Sequence, residues 1–87
     1  MSKAFVFLNC GMGTHGSIIA QMKKILGVSQ ASGLSGVYDI VAEVNADSHK
    51  GIAEIVRKFR LIDNITSCLT MIVAERKIRG TEEMTIN

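Results

Sequence analysis

The chain of 87 residues has no proline and no tryptophan, and its aromatic residues are Phe5, Phe7, Tyr38 and Phe59 alone. An RNA-binding sheet stacks bases on aromatics at fixed places on its central strands, and here the third predicted strand offers only Tyr38 beside Phe5 and Phe7 of the first. Such a sheet is excluded. The charge excess is small, +2, so nothing suggests a surface that tracks phosphates. Two cysteines, Cys10 and Cys68, do not make a disulfide scaffold, and the apolar run at the start is far too short for a signal peptide. Free thiols and a cytoplasmic setting are expected. No run approaches the length needed to span a membrane. What is present is an ordinary folded composition, 47% apolar and 21% charged, in a chain long enough for one core and too short for two.

Read in order, residues 3–9 form a strand with Phe5 and Phe7 on one side of the pleat and Ala4, Val6 and Leu8 on the other. Glycines 11, 13 and 16 punctuate a loop. After a cap at Thr14 or Ser17, Ile18, Ile19, Met22, Ile25 and Leu26 recur at helical spacing until Gly27 ends the helix. Residues 28–34 are polar and small and suit an edge strand. Gly36 turns the chain into a third strand, 37–44. Asp47 or Ser48 caps a second helix whose stripe is Ile52, Ile55, Val56 and Phe59, with Arg57, Lys58 and Arg60 at its carbonyl end. Gly51 lies inside that helix at a propensity cost of about 1 kcal/mol relative to Ala. A last strand runs from Ile65 to Ala74, and residues 76–87 read as a charged C-terminal tail behind a domain of residues 1–75.

The order strand, helix, strand, strand, helix, strand predicts an α+β, ferredoxin-like βαββαβ fold: a four-stranded antiparallel sheet with both helices on one face. Two helices cover one face only, while the first and last strands are apolar on both. The uncovered face predicts a homodimer, or a larger symmetric assembly, joined through the sheet.

Three motifs bear on chemistry. Gly11-Met12-Gly13-Thr14-His15-Gly16 matches G-x-G-x-x-G between a strand and a helix, but the second parallel strand with its ribose-binding acid is lacking, so a loop of small residues is the better reading. Cys10 and His15 share that loop and could hold a metal, with Cys68 as a third ligand if the outer strand runs antiparallel to the first. Two buried apolar thiols are the plainer account, and no metal or cofactor is assigned. His15 and His49 sit near helix starts without a nucleophile motif, so no enzyme is predicted.

Asp39 is the residue to explain. It stands among Val37, Tyr38, Ile40 and Val41 in a stretch that reads as a strand, where a carboxylate is normally excluded. A partly buried anion needs a cation or several donors. Either it pairs with a cation across a subunit boundary, or it joins the turn at Ser35 and Gly36 and the last strand, 67–70, in receiving a free amino acid. The physics leaves both open.

Residues 36–44, Gly-Val-Tyr-Asp-Ile-Val-Ala-Glu-Val, then a helix, then residues 65–73, Ile-Thr-Ser-Cys-Leu-Thr-Met-Ile-Val, resemble the effector-binding, or RAM, domain of the Lrp/AsnC family. The opening strand fits as well, and the resemblance covers about residues 2–75. It implies sheet-paired dimers, often in rings, with a small amino acid bound between dimers. The family's regulators carry a helix-turn-helix upstream, whereas this chain starts at the first strand. A stand-alone effector-binding domain is therefore expected, without direct DNA or membrane contact, joining full-length Lrp/AsnC regulators or buffering a metabolite. Carried over by position, the ligand-binding set is Leu34, Ser35, Gly36, Tyr38, Asp39, Cys68 and Thr70. Asp39 would orient the ammonium, Thr70 and backbone N–H groups near Ser35 and Gly36 would receive the carboxylate, and Tyr38 would pack nearby. Cys68 replaces the first Thr of the family's Thr-x-Thr pattern, and a thiol is the poorer donor, implying weaker affinity or another effector. The alternative from a different class is a structural assembly module with no metabolite ligand.

Overall fold

A computed structural model describes residues 1–78 and 81–86, with side-chain surroundings described over residues 1–73. The elements are β1 (Ser2–Cys10), α1 (His15–Lys23), β2 (Val28–Gly33), β3 (Ile40–Ala46), α2 (His49–Arg60), β4 (Ile65–Ile78) and β5 (Thr81–Ile86). They form one sheet in the order β2-β3-β1-β4-β5, antiparallel throughout. The first six elements are the ferredoxin-like βαββαβ unit.

Alternation along β1 sets the two faces. Ala4, Val6 and Leu8 are fully buried and lie opposite Val44, Ala42 and Ile40 of β3 on one side and Ile72, Thr70 and Cys68 of β4 on the other. Onto that face pack Ile18 and Met22 of α1 and Ile52, Ile55 and Phe59 of α2. Burying each such side chain contributes about 1.5–3 kcal/mol. The other face carries Phe5, Phe7, Val41, Leu69 and Met71, all in partial contact with solvent. Val73, on the same face of β4, is 7% exposed.

Three boundaries differ from the sequence reading. Helix α1 starts after Thr14 and stops at Lys23, so Leu26, placed on its apolar stripe, is instead 91% exposed. A tight turn after Lys24 takes the chain out of the helix early, with the N–H of Ile25 on Met22 O and that of Val28 on Ile25 O. Strand β3 begins at Ile40, three residues later than the apolar run suggests, and Val37 is 85% exposed. Finally, β4 continues past Ala74 to Ile78 and pairs with β5, from Val73–Ile86 to Ile78–Thr81, where the sequence reading expects a charged tail from residue 76 on. A ribbon held by backbone bonds needs no apolar period, and apolar period is the signal on which that reading rests. The edge position expected of β2 is observed, while β5 takes the other edge.

Ser48 caps α2, its Oγ accepting from the N–H of Gly51 at 3.3 Å. Gly51 has a reason to be glycine. A Cβ there would stand 2.7 Å from Cβ of Ala46, so the helix crosses the end of β3 at a distance only glycine allows. Gly51→Ala therefore lowers stability instead of adding the roughly 1 kcal/mol its helix propensity would give. In a urea-unfolding double-mutant cycle, Ala46→Gly is expected to relieve that loss by at least about 0.5 kcal/mol of coupling.

Candidate functional site

The ladder between β1 and β3 ends at the Leu8–Ile40 pair, and β1 carries a register shift between Asn9 and Cys10 against β4. Asp39 lies just past that last pair. Its N–H donates to Leu8 O at 2.9 Å, and its carbonyl accepts from the N–H of Leu34 at 2.7 Å, closing the 34–39 loop. Its carboxylate turns back to β1, where Oδ2 accepts from the N–H of Cys10 at 2.9 Å. The side chain thus continues the pairing for one step after the backbone has left it. That is why a carboxylate is tolerated here: it stands at the strand's end, half-buried, with a backbone donor.

The other carboxylate oxygen faces α1. His15, the first residue of that helix, holds Nε2 3.6 Å from Oδ1 of Asp39. The cysteine of the loop completes the group, since one ligand atom each from Cys10, His15 and Asp39 lie within 4.8 Å of one another. Thr14 does not cap α1 with its side chain and instead donates its hydroxyl to Gly11 O at 2.6 Å, which tightens the loop between Cys10 and His15.

The remaining site residues distribute as follows. Leu34, Ser35 and Gly36 form an exposed loop, and Tyr38 packs its ring on Phe7 with centroids 5.6 Å apart, on the sheet face away from the helices. Among the described residues, the N–H groups of Ser35, Gly36, Val37 and Tyr38 have no acceptor within the chain. Cys68 and Thr70 belong to β4, across β1 from Asp39, and share the helix-facing side of the sheet. One chain therefore brings together Leu34, Ser35, Gly36, Tyr38 and Asp39 but not Cys68 or Thr70. Burial pushes the Cys68 thiol above its ordinary range, with the Arg60 guanidinium and the Thr70 hydroxyl pulling the other way. It stays a protonated, weak donor.

Two neighbourhoods lie beyond the sequence reading. The companion of Cys10 and His15 is Asp39 rather than Cys68, because the Cys68 register partner is Leu8. The β1–β3 register would have revealed this, since it sets Ile40 against Leu8 and so brings Asp39 to the end of β1. Thr70 opens into a groove of about 360 Å³ between α2 and β4 with His49, Val56, Arg57, Arg60 and Ile72 on its walls. From the sequence, the arginines are partners of the helix dipole and nothing more.

Known proteins bear on what such a site belongs to. The family model for the Lrp/AsnC ligand binding domain matches residues 3–83. Among solved structures, the hypothetical protein PHS023 from Pyrococcus horikoshii is 26% identical with a TM-score of 0.77, over 83% of this chain and 88% of that one. TTHA0845 from Thermus thermophilus, 18% identical, has a TM-score of 0.83 over 91% of this chain and 100% of its own. E. coli AsnC is 24% identical with a TM-score of 0.78, and the match covers 92% of this chain and 55% of AsnC. At those identities the last two speak to fold alone. No curated protein matches significantly. The family match runs through β1, both helices, Asp39 just before β3 and Thr70 of β4, and on into β5; the chain belongs to the Lrp/AsnC ligand-binding domain family.

Proposed function

We propose that the chain senses a small amino acid, assembles through its open sheet face into dimers and larger rings, and modulates full-length Lrp/AsnC regulators in the cytoplasm. It acts by binding and not by catalysis, and with a charge of only +2 it leaves DNA to its partners. One observation carries the reading: four backbone N–H groups, those of residues 35–38, are free of acceptors within the described chain and belong to the loop that leads directly into Asp39. Free donors in the loop and a carboxylate at its end are the two kinds of group that the ends of an amino acid require. Water satisfies the exposed turn in the free protein, and a ligand carboxylate can replace that water. Cys68 and Thr70 reach such a ligand only if a second copy presents its β4, so the proposed pocket is shared between copies.

A second reading has its own support. The Cys10 N–H already occupies one Asp39 oxygen, as a purely architectural aspartate would arrange, so the domain could join partners without any metabolite.

Two measurements decide. In a thermal-shift screen against the twenty amino acids, an effector at 100 times its Kd adds about 2.7 kcal/mol, which raises the Tm of a domain this size by roughly 10 °C or more. Asp39→Asn keeps an acceptor for the Cys10 N–H while removing the charge; it is expected to melt within a few degrees of the parent yet lose that response. An unaltered response in Asp39→Asn, or a flat screen of the assembled protein, leaves the second reading. For assembly, sedimentation at micromolar concentration is expected to show a dimer or larger species, and Leu69→Glu, at the partly exposed centre of the open face, to give folded monomers. A monomeric parent ends the assembly proposal.

A further inference from the structure

We infer that Cys10, His15 and Asp39 form a binding site for a thiophilic divalent cation of the zinc class. Nε2 of His15 and Oδ1 of Asp39 are 3.6 Å apart, beyond hydrogen-bond range. Two ligands of one tetrahedral zinc ion, with bonds of about 2.0–2.3 Å, stand roughly 3.3–3.7 Å from each other. An ion pair spans that distance, and so does a single ion held by both groups. The cysteine ligand atom also lies within 4.8 Å of the others, within reach of the same ion after a small side-chain adjustment.

The support around the ligands is of the kind a metal site needs. The Asp39 carboxylate is oriented by its second oxygen, which accepts from the Cys10 N–H at 2.9 Å, so the backbone of one ligand fixes the side chain of another. The hydroxyl of Thr14 on Gly11 O holds the short loop between Cys10 and His15. All three ligands are half-buried: deep enough to limit competition from water, open enough for an ion to enter and for a water to take the fourth position. A bound ion displaces the thiol proton to solvent, and thiolate plus carboxylate then balance its two charges. A sulfur, nitrogen and oxygen set selects zinc, cobalt, nickel or copper over magnesium or calcium.

The inference does not depend on amino-acid sensing, although both draw on the same Asp39 oxygen, and it is tested with metal alone. The reduced, metal-stripped full chain is titrated with Co²⁺ as a spectroscopic probe and with Zn²⁺ by equilibrium dialysis. One ion per chain is expected, with a thiolate-to-cobalt charge-transfer band and the intense visible bands of a tetrahedral ion. Cys10→Ser abolishes the charge-transfer band, and His15→Gln, on the half-exposed first residue of α1, weakens Zn²⁺ binding at least about tenfold while leaving the fold intact. Cys68→Ser leaves both readouts as in the parent. Absence of stoichiometric binding overturns the inference, as does a charge-transfer band that persists in Cys10→Ser or vanishes in Cys68→Ser.

Discussion

Strand β1 is bonded along both edges, to β3 and to β4, so its side chains have only the two faces of the sheet to go to. Ala4, Val6 and Leu8 take one, Phe5 and Phe7 the other. This single alternation decides where the helices lie. The small and aliphatic side admits two helices at close range, whereas two phenylalanines on the same side would hold them off. The helices are not equivalent on that surface. α2 buries Ile52, Ile55 and Phe59, which lie at successive turns, while α1 buries only Ile18 and Met22. Most of the helical packing energy therefore rests on α2. Its close crossing over Ala46, which requires glycine at position 51, follows from drawing that stripe down to the sheet.

The phenylalanine side is left to the environment. Tyr38 covers part of Phe7, but Leu69 keeps 38% of its surface in contact with solvent and Phe5 and Met71 are only half-buried. Water against such a surface is unfavourable in proportion to its area. The same alternation that builds the core thus leaves an apolar second face, the surface through which assembly is proposed. Core and open face cannot be tuned separately, because a shift of β1 by one residue would exchange them.

The pattern of apolar residues is enough to read this much from the chain. The faces of β1, the stripe of α2, the edge position of β2 and the order of the first six elements all follow from periodicity and capping signals. What escapes reading does so for identifiable reasons. Val37, Tyr38 and Ile40 look like one strand, yet only Ile40 belongs to β3, because the loop closed by Leu34 N–H on Asp39 O is longer than a tight glycine turn. Leu26 has the spacing of the α1 stripe but follows the helix's last turn. β5 has no period to find. At the site, the turn and Asp39 are legible as a group because they are neighbours in sequence, while the meeting of Cys10, His15 and Asp39 depends on register. Register is a property of two strands, and no single stretch of sequence displays it.

Register also resolves how an aspartate can occupy this place. An anion enclosed by Val37, Tyr38, Ile40 and Val41 would require a counter-charge. Asp39 is not so enclosed: it lies at the lip of the sheet, and its side chain keeps 31% of its surface in water. Its two oxygens have different duties. Oδ2 is committed to the Cys10 N–H and fixes the carboxylate in direction; Oδ1 points at His15 without a hydrogen bond. A carboxylate with one oxygen anchored and one free is held in place before any ligand arrives, so binding loses little side-chain freedom. The anchoring bond would serve either proposed occupant, an ammonium or a metal ion, in the same way. If both proposals hold, the two occupants would compete for Oδ1 and exclude one another at this corner unless the amino acid itself entered the open coordination position.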